Sequence, residues 1–127
     1  MTQSPQHWVV RAGQGSISSL KKGYRHYPNT PYYGCSVQYD PHVGVDELAR
    51  AGKFKNGEIS YATRPMLERV LAAIGYTMQL IKTPGSGYHH TLMVLYAGGN
   101  GIIQLPDDAA KAIHDTFSRK PNPYPVP

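Results

Sequence analysis

The adjacent histidines His89 and His90 are the residues of this sequence best suited to chemistry. They follow a glycine-rich turn, TPGSGY, and open an apolar run, HHTLMVLYA. Histidine is the side chain best placed to move a proton near neutral pH. Alternate residues of a strand point to opposite faces, so His89 and Thr91 share one face, and His90 shares the other with Leu92. We expect His89 and Thr91 to line a cleft; the plainer alternative is that both histidines are only polar groups at a strand edge.

Other reactive groups in the sequence are weaker candidates. Neighbouring strand residues diverge, and neither paired cysteines nor the HxxxH and HExxH spacings occur, so the sequence predicts no metal site and no cofactor. Cys35 is the only cysteine, and a lone cysteine is more often a small apolar residue than a nucleophile, although both interpretations stay open. The phosphate-loop patterns are also missing, so GSGY and GGNG are interpreted as turns.

A basic and aromatic segment, LKKGYRHYPNTPYY, lies at residues 20–33. Cations bind phosphate, and aromatic faces stack on unpaired bases, so this segment is a candidate for binding nucleic acid. The alternative is a tyrosine-rich loop that covers a sheet edge. Arg11 and Lys82 each end an apolar strand and can add charge to the same cleft. The candidate substrate-binding residues of this region and its surroundings are Lys21, Lys22, Tyr24, Arg25, Tyr33, Ser36 and Tyr88.

The size and composition of the chain limit the function further. Its 127 residues match one domain, and its net charge of +5 is a mild form of the charge seen in nucleic-acid-binding proteins. The single cysteine excludes an internal disulfide. Neither an apolar signal core nor a run of about 20 apolar residues is present, which predicts a cytoplasmic protein without a membrane partner. The alternative is a protein delivered into a target cell by a route that needs no signal peptide.

The pattern along the chain predicts a single α+β domain, mainly an antiparallel twisted sheet of about five strands with two or three helices. We expect a disordered N-terminus at 1–6, the domain at 7–120 and an extended proline-rich tail at 121–127. Apolar alternation predicts strands at 7–13, 34–41, 57–63, 76–83 and 89–97, with a sixth candidate at IIQL. Helical spacing and end signals predict helices at 43–54, from Thr63 to Gly75 and at 106–120, and one helical turn near residues 16–27.

These residue types suffice for RNA cleavage without a metal. His89 serves as the base or the acid, and Arg11 and Thr91 stabilise charge on the crowded phosphate. Lys82 supplies a second cation. The hypothesis rests on residue types, and the sequence does not identify the RNA.

Several phrases together resemble a bacterial family of small toxin-like domains: GCSVQYDPHVGVDELARAG, GEISYAT, KTPGSGYHHTL, LPDDAAKA and the closing PNP. Members of that family occur as free-standing proteins and as C-terminal domains of polymorphic toxins. The histidine and threonine of the family pattern correspond to His89 and Thr91, its first-strand arginine to Arg11, and the asparagine of its PNP motif to Asn122. His90 departs from the pattern, because a small residue is more usual there.

The resemblance implies a toxin-type ribonuclease, and with it an acidic antitoxin or immunity protein that covers the basic cleft. A second alternative is an NAD-dependent ADP-ribosyltransferase-like toxin, which the chain resembles in Arg11 on an early strand, Ser36 on a middle strand and its tyrosines. The late catalytic glutamate of that class has no counterpart, because no Glu follows residue 68. A third alternative is a module that binds RNA or protein without catalysis.

Overall fold

The computed structural model describes residues 6–27, 31–55, 57–84, 87–99 and 101–124. Four helices and a seven-stranded antiparallel sheet in these ranges make one small α+β domain, which confirms the predicted class with more strands than expected. The elements in chain order are β1 (Trp8–Ala12), α1 (Ile17–Gly23), β2 (Arg25–His26), β3 (Tyr33–Asp40), α2 (Val45–Gly52), β4 (Glu58–Thr63), α3 (Arg64–Ala72), β5 (Tyr76–Lys82), β6 (His89–Tyr96), α4 (Asp107–Thr116) and β7 (Ser118–Pro121).

The strands lie in the order β5-β6-β3-β1-β4-β7, and the short strand β2 pairs with β3. β5 and β6 form a hairpin whose register runs from Tyr76 opposite Tyr96 to Lys82 opposite His90. β3 lies against β6, with Ser36 opposite Thr91. The sheet therefore brings residues from the middle of the chain beside the histidine pair.

Both faces of the sheet are covered, but unequally. The larger core lies under α1, α3 and α4 and includes Val9, Val37 and Leu92. The smaller core, with Val10 and Ile59, lies under α2, which packs on β1 and β3. Because successive strand residues alternate between faces, neighbours such as Val9 and Val10 enter different cores.

Local sequence signals explain where the helices begin. Ser16 caps α1, and its hydroxyl oxygen accepts a hydrogen bond from the Ser19 N–H at 3.2 Å. α3 begins after Thr63 with a proline in its first turn, and α4 carries Asp107 and Asp108 in its first turn, where the helix dipole favours negative charge. The longest helix has ten residues. None of the helices in the described residues has the length and apolarity needed to cross a membrane.

Three local predictions are wrong in detail. The C-terminal helix ends at Thr116, and residues Ser118–Pro121 form β7 on β4, because pairing with a free sheet edge replaces the last helical turn. The IIQL segment is not a strand; it follows a single bridge between Leu95 and Gly101. Residues Ile17–Gly23 form a helix rather than one turn. Of the predicted disordered segment, residues 1–5 lie outside the described ranges, as do residues 125–127 of the predicted tail.

A gap in the sheet separates β1 from β3 beyond Val10. The last residue pair of their ladder is Val10 opposite Gln38. Further along β3, Gly34 pairs with Arg25 of β2 instead. The stretch of β3 between these two ladders includes Ser36, and this gap forms the base of the site described next.

Candidate functional site

The β5–β6 hairpin holds His89 against Thr83. The Thr83 N–H donates to the His89 carbonyl at 3.0 Å, which continues the hairpin ladder one residue beyond β5. The Thr83 hydroxyl lies 2.7 Å from His89 Nδ1. Because the ring is hydrogen-bonded to the residue that follows the neighbouring strand β5, its orientation is set by the hairpin.

The second ring nitrogen of His89 faces Ser36 on β3. In the register of the two strands Ser36 lies opposite Thr91, so it shares a face with His89 two residues away. The Ser36 hydroxyl forms a short hydrogen bond with His89 Nε2. The result is a continuous chain of hydrogen bonds, Ser36–His89–Thr83, in which each hydroxyl can donate or accept and either ring tautomer is satisfied.

Arg11 fills the gap between β1 and β3. The Tyr39 N–H donates to Tyr88 on the β6 side, and backbone groups alternate sides along a strand, so the Ser36 carbonyl points away from β6 towards β1. The ladder with β1 has ended there, and Arg11 Nη1 donates to the Ser36 carbonyl at 2.8 Å in place of a backbone N–H. Nη2 donates to the Ser19 carbonyl at 3.3 Å. The buried Nε has no hydrogen-bond partner within the described residues.

A small cleft opens beside Ser36. It has a volume of about 150 Å³, and its lining residues are Arg11, Ala12, Ser36, Val37, Gln38 and Phe54. Pockets that enclose a whole drug-sized ligand measure roughly 300–1,000 Å³. The cleft therefore has room for one group of a larger substrate, next to the Ser36 hydroxyl and the Arg11 charge.

The surroundings of His89 favour its neutral form. Partial burial lowers the pKa of His89 below its ordinary value, and the positive charges that His90 and Lys82 carry lower it further. A histidine that stays neutral near pH 7 keeps a lone pair available, so His89 is suited to accept a proton.

Aromatic and basic side chains border the histidine. The Tyr27 ring lies 6.0 Å from the His89 ring, and the His26 ring lies 5.0 Å from Tyr33. Arg25 and His26 form the exposed strand β2. Tyr27 therefore places a flat ring beside His89, whereas Tyr33 packs against the larger core on the other face of the sheet.

Three predicted site residues meet directly, namely His89, Ser36 and Arg11. Ser36 was expected to bind substrate, and the structure places it on the imidazole. Lys82 is exposed, acts on His89 through its charge, and donates to the Thr83 carbonyl at 3.0 Å. It lies opposite His90 and does not line the cleft, which corrects the expectation that it shares the cleft with Arg11. Thr91 lies beside Ser36 across the ladder but is only 4% exposed, which corrects the expectation that its hydroxyl contacts a phosphate. Neither Thr91 nor His89 is among the residues that line the cleft, so the expectation that both line it is wrong; His89 reaches it through Ser36.

Tyr24 is a core residue rather than a stacking platform. It is 5% exposed, and its hydroxyl donates to the carbonyl oxygens of Val94 at 3.1 Å and Ile102 at 2.8 Å. Burial raises the pKa of Tyr24 to about 12. Its ring is therefore not available to a nucleic-acid base.

The remaining predicted binding residues are spread around the site. Lys21 forms an ion pair with Asp107 of α4, and Lys22 is exposed. Tyr88 is half-buried against the smaller core. Asn122 donates to the Phe54 carbonyl at 2.7 Å and so holds a segment that lines the cleft, without lining it.

Cys35, the alternative nucleophile, is buried at 1% exposure, and its thiol donates to the Leu20 carbonyl at 3.3 Å. Burial raises the pKa of Cys35 to about 11, so the thiol stays protonated near neutral pH. In the described part of the chain no group of three or more His, Cys, Asp or Glu side chains is placed to hold a metal ion.

Sequence reasoning missed Thr83 and Tyr27. Thr83 begins the TPG turn, and the hairpin prediction implies that a residue there faces the start of β6. The sequence does not show how many residues of the β5–β6 hairpin are paired, so it did not identify Thr83 as the partner of His89. Tyr27 belongs to the tyrosine-rich segment that was predicted to bind, but the sequence did not single it out.

Comparison of this chain with protein-family models, with curated proteins and with solved structures finds no match.

Proposed function

We propose that the protein is a metal-independent ribonuclease with His89 as its general base. The observation that carries the proposal is the placement of the two ring nitrogens of His89. Thr83 holds Nδ1 at 2.7 Å, while Nε2 contacts a hydroxyl group at the edge of a cleft. A ribose 2′-hydroxyl that takes the place of the Ser36 hydroxyl meets the same nitrogen.

The chemistry is an internal phosphoryl transfer. His89 Nε2 accepts the proton of the 2′-hydroxyl, and the 2′-oxygen attacks the adjacent phosphorus. The bond from phosphorus to the 5′-oxygen breaks, that oxygen takes a proton from water, and the resulting hydroxide takes the proton that His89 gained, which restores the neutral imidazole. The products are a 2′,3′-cyclic phosphate and a free 5′-hydroxyl, and Thr83 keeps the imidazole aligned while it carries the proton.

Positive charge around His89 suits a phosphodiester. The Arg11 guanidinium lines the cleft, and the charge of Lys82 acts on the His89 ring from the other face of the sheet, where Lys82 lies opposite His90. Charge that develops on the phosphate during attack is stabilised by such fixed cations. Tyr27 beside His89 offers a face for an unpaired base, and such stacking contributes about 1–3 kcal/mol per base. These contacts favour single-stranded RNA as the substrate class.

The resemblance to toxin-like domains extends the proposal to a partner. A ribonuclease toxin needs a neutralising protein, and an acidic one complements a chain of net charge +5. The exposed cations Lys82 and Arg25 are the contacts we propose for that antitoxin or immunity protein.

The test uses purified protein, EDTA and an end-labelled single-stranded RNA, beside the same RNA carrying 2′-O-methyl groups. We expect fragments with cyclic phosphate ends from the unmodified RNA only. His89→Gln should lower the rate at least about 100-fold, the lower end of what a positioned acid–base group contributes. The control is His42→Gln, because His42 is exposed in a turn.

The test extends to cells. The wild type and His89→Gln are induced in a bacterial host, growth is followed, and total RNA is separated on a denaturing gel. Arrest with RNA fragments that depends on His89 supports the proposal. Arrest with intact RNA contradicts it and makes NAD consumption the next assay. Absence of both arrest and cleavage favours a binding module.

One observation favours a second candidate, a Ser36-centred hydrolase. The chain Ser36–His89–Thr83 has the order of nucleophile, base and orienting group that activates a serine. A fluorophosphonate probe that labels the wild type but not Ser36→Ala supports this candidate. The ribonuclease proposal instead expects Ser36→Ala to retain most of the RNA cleavage, because the 2′-hydroxyl replaces the serine.

The contact between Arg11 and Ser36 also agrees with the ADP-ribosyltransferase alternative. That chemistry needs a carboxylate at the site. Among the described residues, no carboxylate forms a hydrogen bond or ion pair with Arg11, Ser36 or His89. We therefore rank it below RNA cleavage.

A further inference from the structure

A second group of basic and aromatic side chains lies on the opposite face of the sheet. His90 follows His89 and so points to the other face, beside Val37 in the ladder with β3. There its ring meets the edge of Tyr39 at 5.2 Å. We call the four residues His7, Tyr39, Arg64 and His90 the Tyr39 cluster.

Tyr39 is the centre of this cluster. It is 6% exposed, and its hydroxyl lies 2.8 Å from His7 Nδ1. The Arg64 guanidinium carbon lies 5.6 Å from the centre of the ring, as in a cation–π contact. One buried phenol therefore holds two imidazoles and a guanidinium around it.

The backbone fixes the cluster from a second direction. His7 has a φ of 55°, in the left-handed region that few residues other than glycine adopt. Its N–H donates to the Pro41 carbonyl at 3.2 Å, and its carbonyl accepts from the Arg64 N–H at 2.8 Å. The second of these hydrogen bonds joins His7 to Arg64, the first residue of α3. It fixes the backbone position from which the Arg64 side chain extends.

The charges in and around the cluster are mostly positive. Lys82 lies opposite His90 in the hairpin. Burial lowers the pKa of His90 most, and the hydrogen bond to the Tyr88 carbonyl raises it; of the nearby charges, Lys82 and Arg64 lower this pKa and Asp40 raises it. The contact of Arg64 with Glu68 is long, at 3.8 Å. Cations gathered in this way repel one another, and an anion between them removes that repulsion.

The hydrogen bond of His90 fixes which of its nitrogens can gain a proton. Nδ1 lies 2.7 Å from the Tyr88 carbonyl, which only accepts, so Nδ1 carries the hydrogen. Nε2 is then an acceptor in the neutral ring and becomes a donor when the ring is protonated. A bound anion that contacts Nε2 would favour the protonated form.

We infer that Arg64, Lys82 and His90 form a binding site for the phosphate group of a phosphate ester, on the face of the sheet opposite Ser36 and His89. Guanidinium, ammonium and imidazolium groups supply the donors that phosphate oxygens prefer, and Arg64 can bind two oxygens at once. The ester group stays in solvent beside the exposed Lys82. This inference does not rest on the proposed ribonuclease activity.

The test titrates the full chain with inorganic phosphate, 5′-AMP and the dinucleotide dTpT, followed by ³¹P and imidazole NMR. The monoester and the diester distinguish the two sources of a phosphate group. We expect the His90 ring signals to shift towards the protonated form. Arg64→Gln should weaken phosphate binding roughly tenfold or more, because it removes hydrogen bonds to a charged group. Arg69→Gln, an equal charge change in the last turn of α3, is the control.

Two further variants keep the test decisive if Arg64→Gln folds poorly. His90→Gln leaves the cation over Tyr39 and should also weaken binding. In His89→Gln, where the substitution lies on the other face, the phosphate-induced shift of the His90 ring signals should remain; loss of that shift would place the phosphate in the cleft. The inference is overturned by that result, by an unchanged His90 signal, or by equal affinity of Arg64→Gln and Arg69→Gln.

Discussion

Arg11 Nη1 donates to the carbonyl oxygen of Ser36 at 2.8 Å, at the point where the ladder between their two strands has ended. The guanidinium takes the place of a missing backbone donor. It thereby holds in place the part of β3 that carries Ser36, whose hydroxyl contacts His89. Gly23 leaves the space that the guanidinium occupies, because a Cβ there would collide with Nη2.

Arg11→Met should destabilise the fold as well as the site. The substitution removes the donors of the Ser36 and Ser19 carbonyls. We expect a loss of about 1–3 kcal/mol in the free energy of unfolding, measured by urea denaturation. Arg69→Met on the exposed side of α3 is the matched control. Equal stability of the two variants would show that the gap does not depend on the guanidinium.

Thr83→Val should lower the activity of the site without unfolding it. Valine keeps the shape of threonine but cannot bond His89 Nδ1. One neutral hydrogen bond is worth about 1 kcal/mol, so we expect roughly a fivefold loss of kcat/KM on RNA. Thr83→Ser should restore it, and Thr77→Val, exposed on the same strand, should change nothing. A Thr83→Val variant as active as the wild type would remove Thr83 from the mechanism.

Lys82→Met should raise the pKa of His89. Burial, His90 and Lys82 all lower that pKa in the native protein, so removing the lysine charge relieves one of the three causes. The acid limb of kcat/KM, where activity falls as His89 gains a proton, should then move to higher pH. Imidazole NMR of the free protein measures the same shift without substrate. Lys111→Met on α4 is the control, and an unmoved or lowered His89 pKa in Lys82→Met would contradict the prediction.

The histidine pair should also make stability depend on pH. The pKa values of His89 and His90 are lower in the folded protein than their ordinary values, so the unfolded chain binds more protons in the window below about pH 6.5. Stability should therefore fall as the pH drops through that window and level off below the folded pKa values. Urea denaturation of His89→Gln/His90→Gln should show a smaller fall than the wild type. An identical pH profile would show that neither ring is shifted.

Gly34→Ala should disturb the strands that carry the site. A Cβ at Gly34 would collide with the backbone carbonyl of Leu92 and lie 2.6 Å from Thr91 Cγ2, and the backbone cannot easily move away. Overpacking of this kind costs about 1–3 kcal/mol. Gly44→Ala has nothing within 4 Å of the added Cβ and should be neutral. Thermal unfolding of the two variants measures the difference in stability, and equal midpoint temperatures would contradict the prediction.

Alternation along single strands was readable from the sequence. The alternation in the strand predicted at 34–41 directs Ser36 and Gln38 to one face and Val37 and Tyr39 to the other, and in the structure only the latter two enter the larger core. Tyr76 and Met78 are buried while Thr77 is exposed, which agrees with the alternation in the strand predicted at 76–83. Such patterns follow from the two-residue period of an extended chain, which is a local property.

The short strands β2 and β7 could not be predicted from alternation along the chain. β2 has two exposed residues and β7 has four polar or proline residues, so neither shows an apolar pattern. Each is a strand because a neighbouring edge offers backbone partners. Pairing of this kind depends on the assembled sheet, and local propensity carries no signal for it.

The sequence by itself determined which residues could do chemistry here and which of them share a face: His89 with Thr91, His90 on the reverse side, and Ser36 on the side opposite Val37. Only the tertiary structure decided their partners. The order of strands places β3 beside β6, the hairpin register places Thr83 on His89, and the gap beyond Val10 admits Arg11. The face to which a side chain points follows from its spacing along one strand. Its contact partners depend on segments that are distant in the sequence, and the register of those segments is set by the packing of the whole sheet.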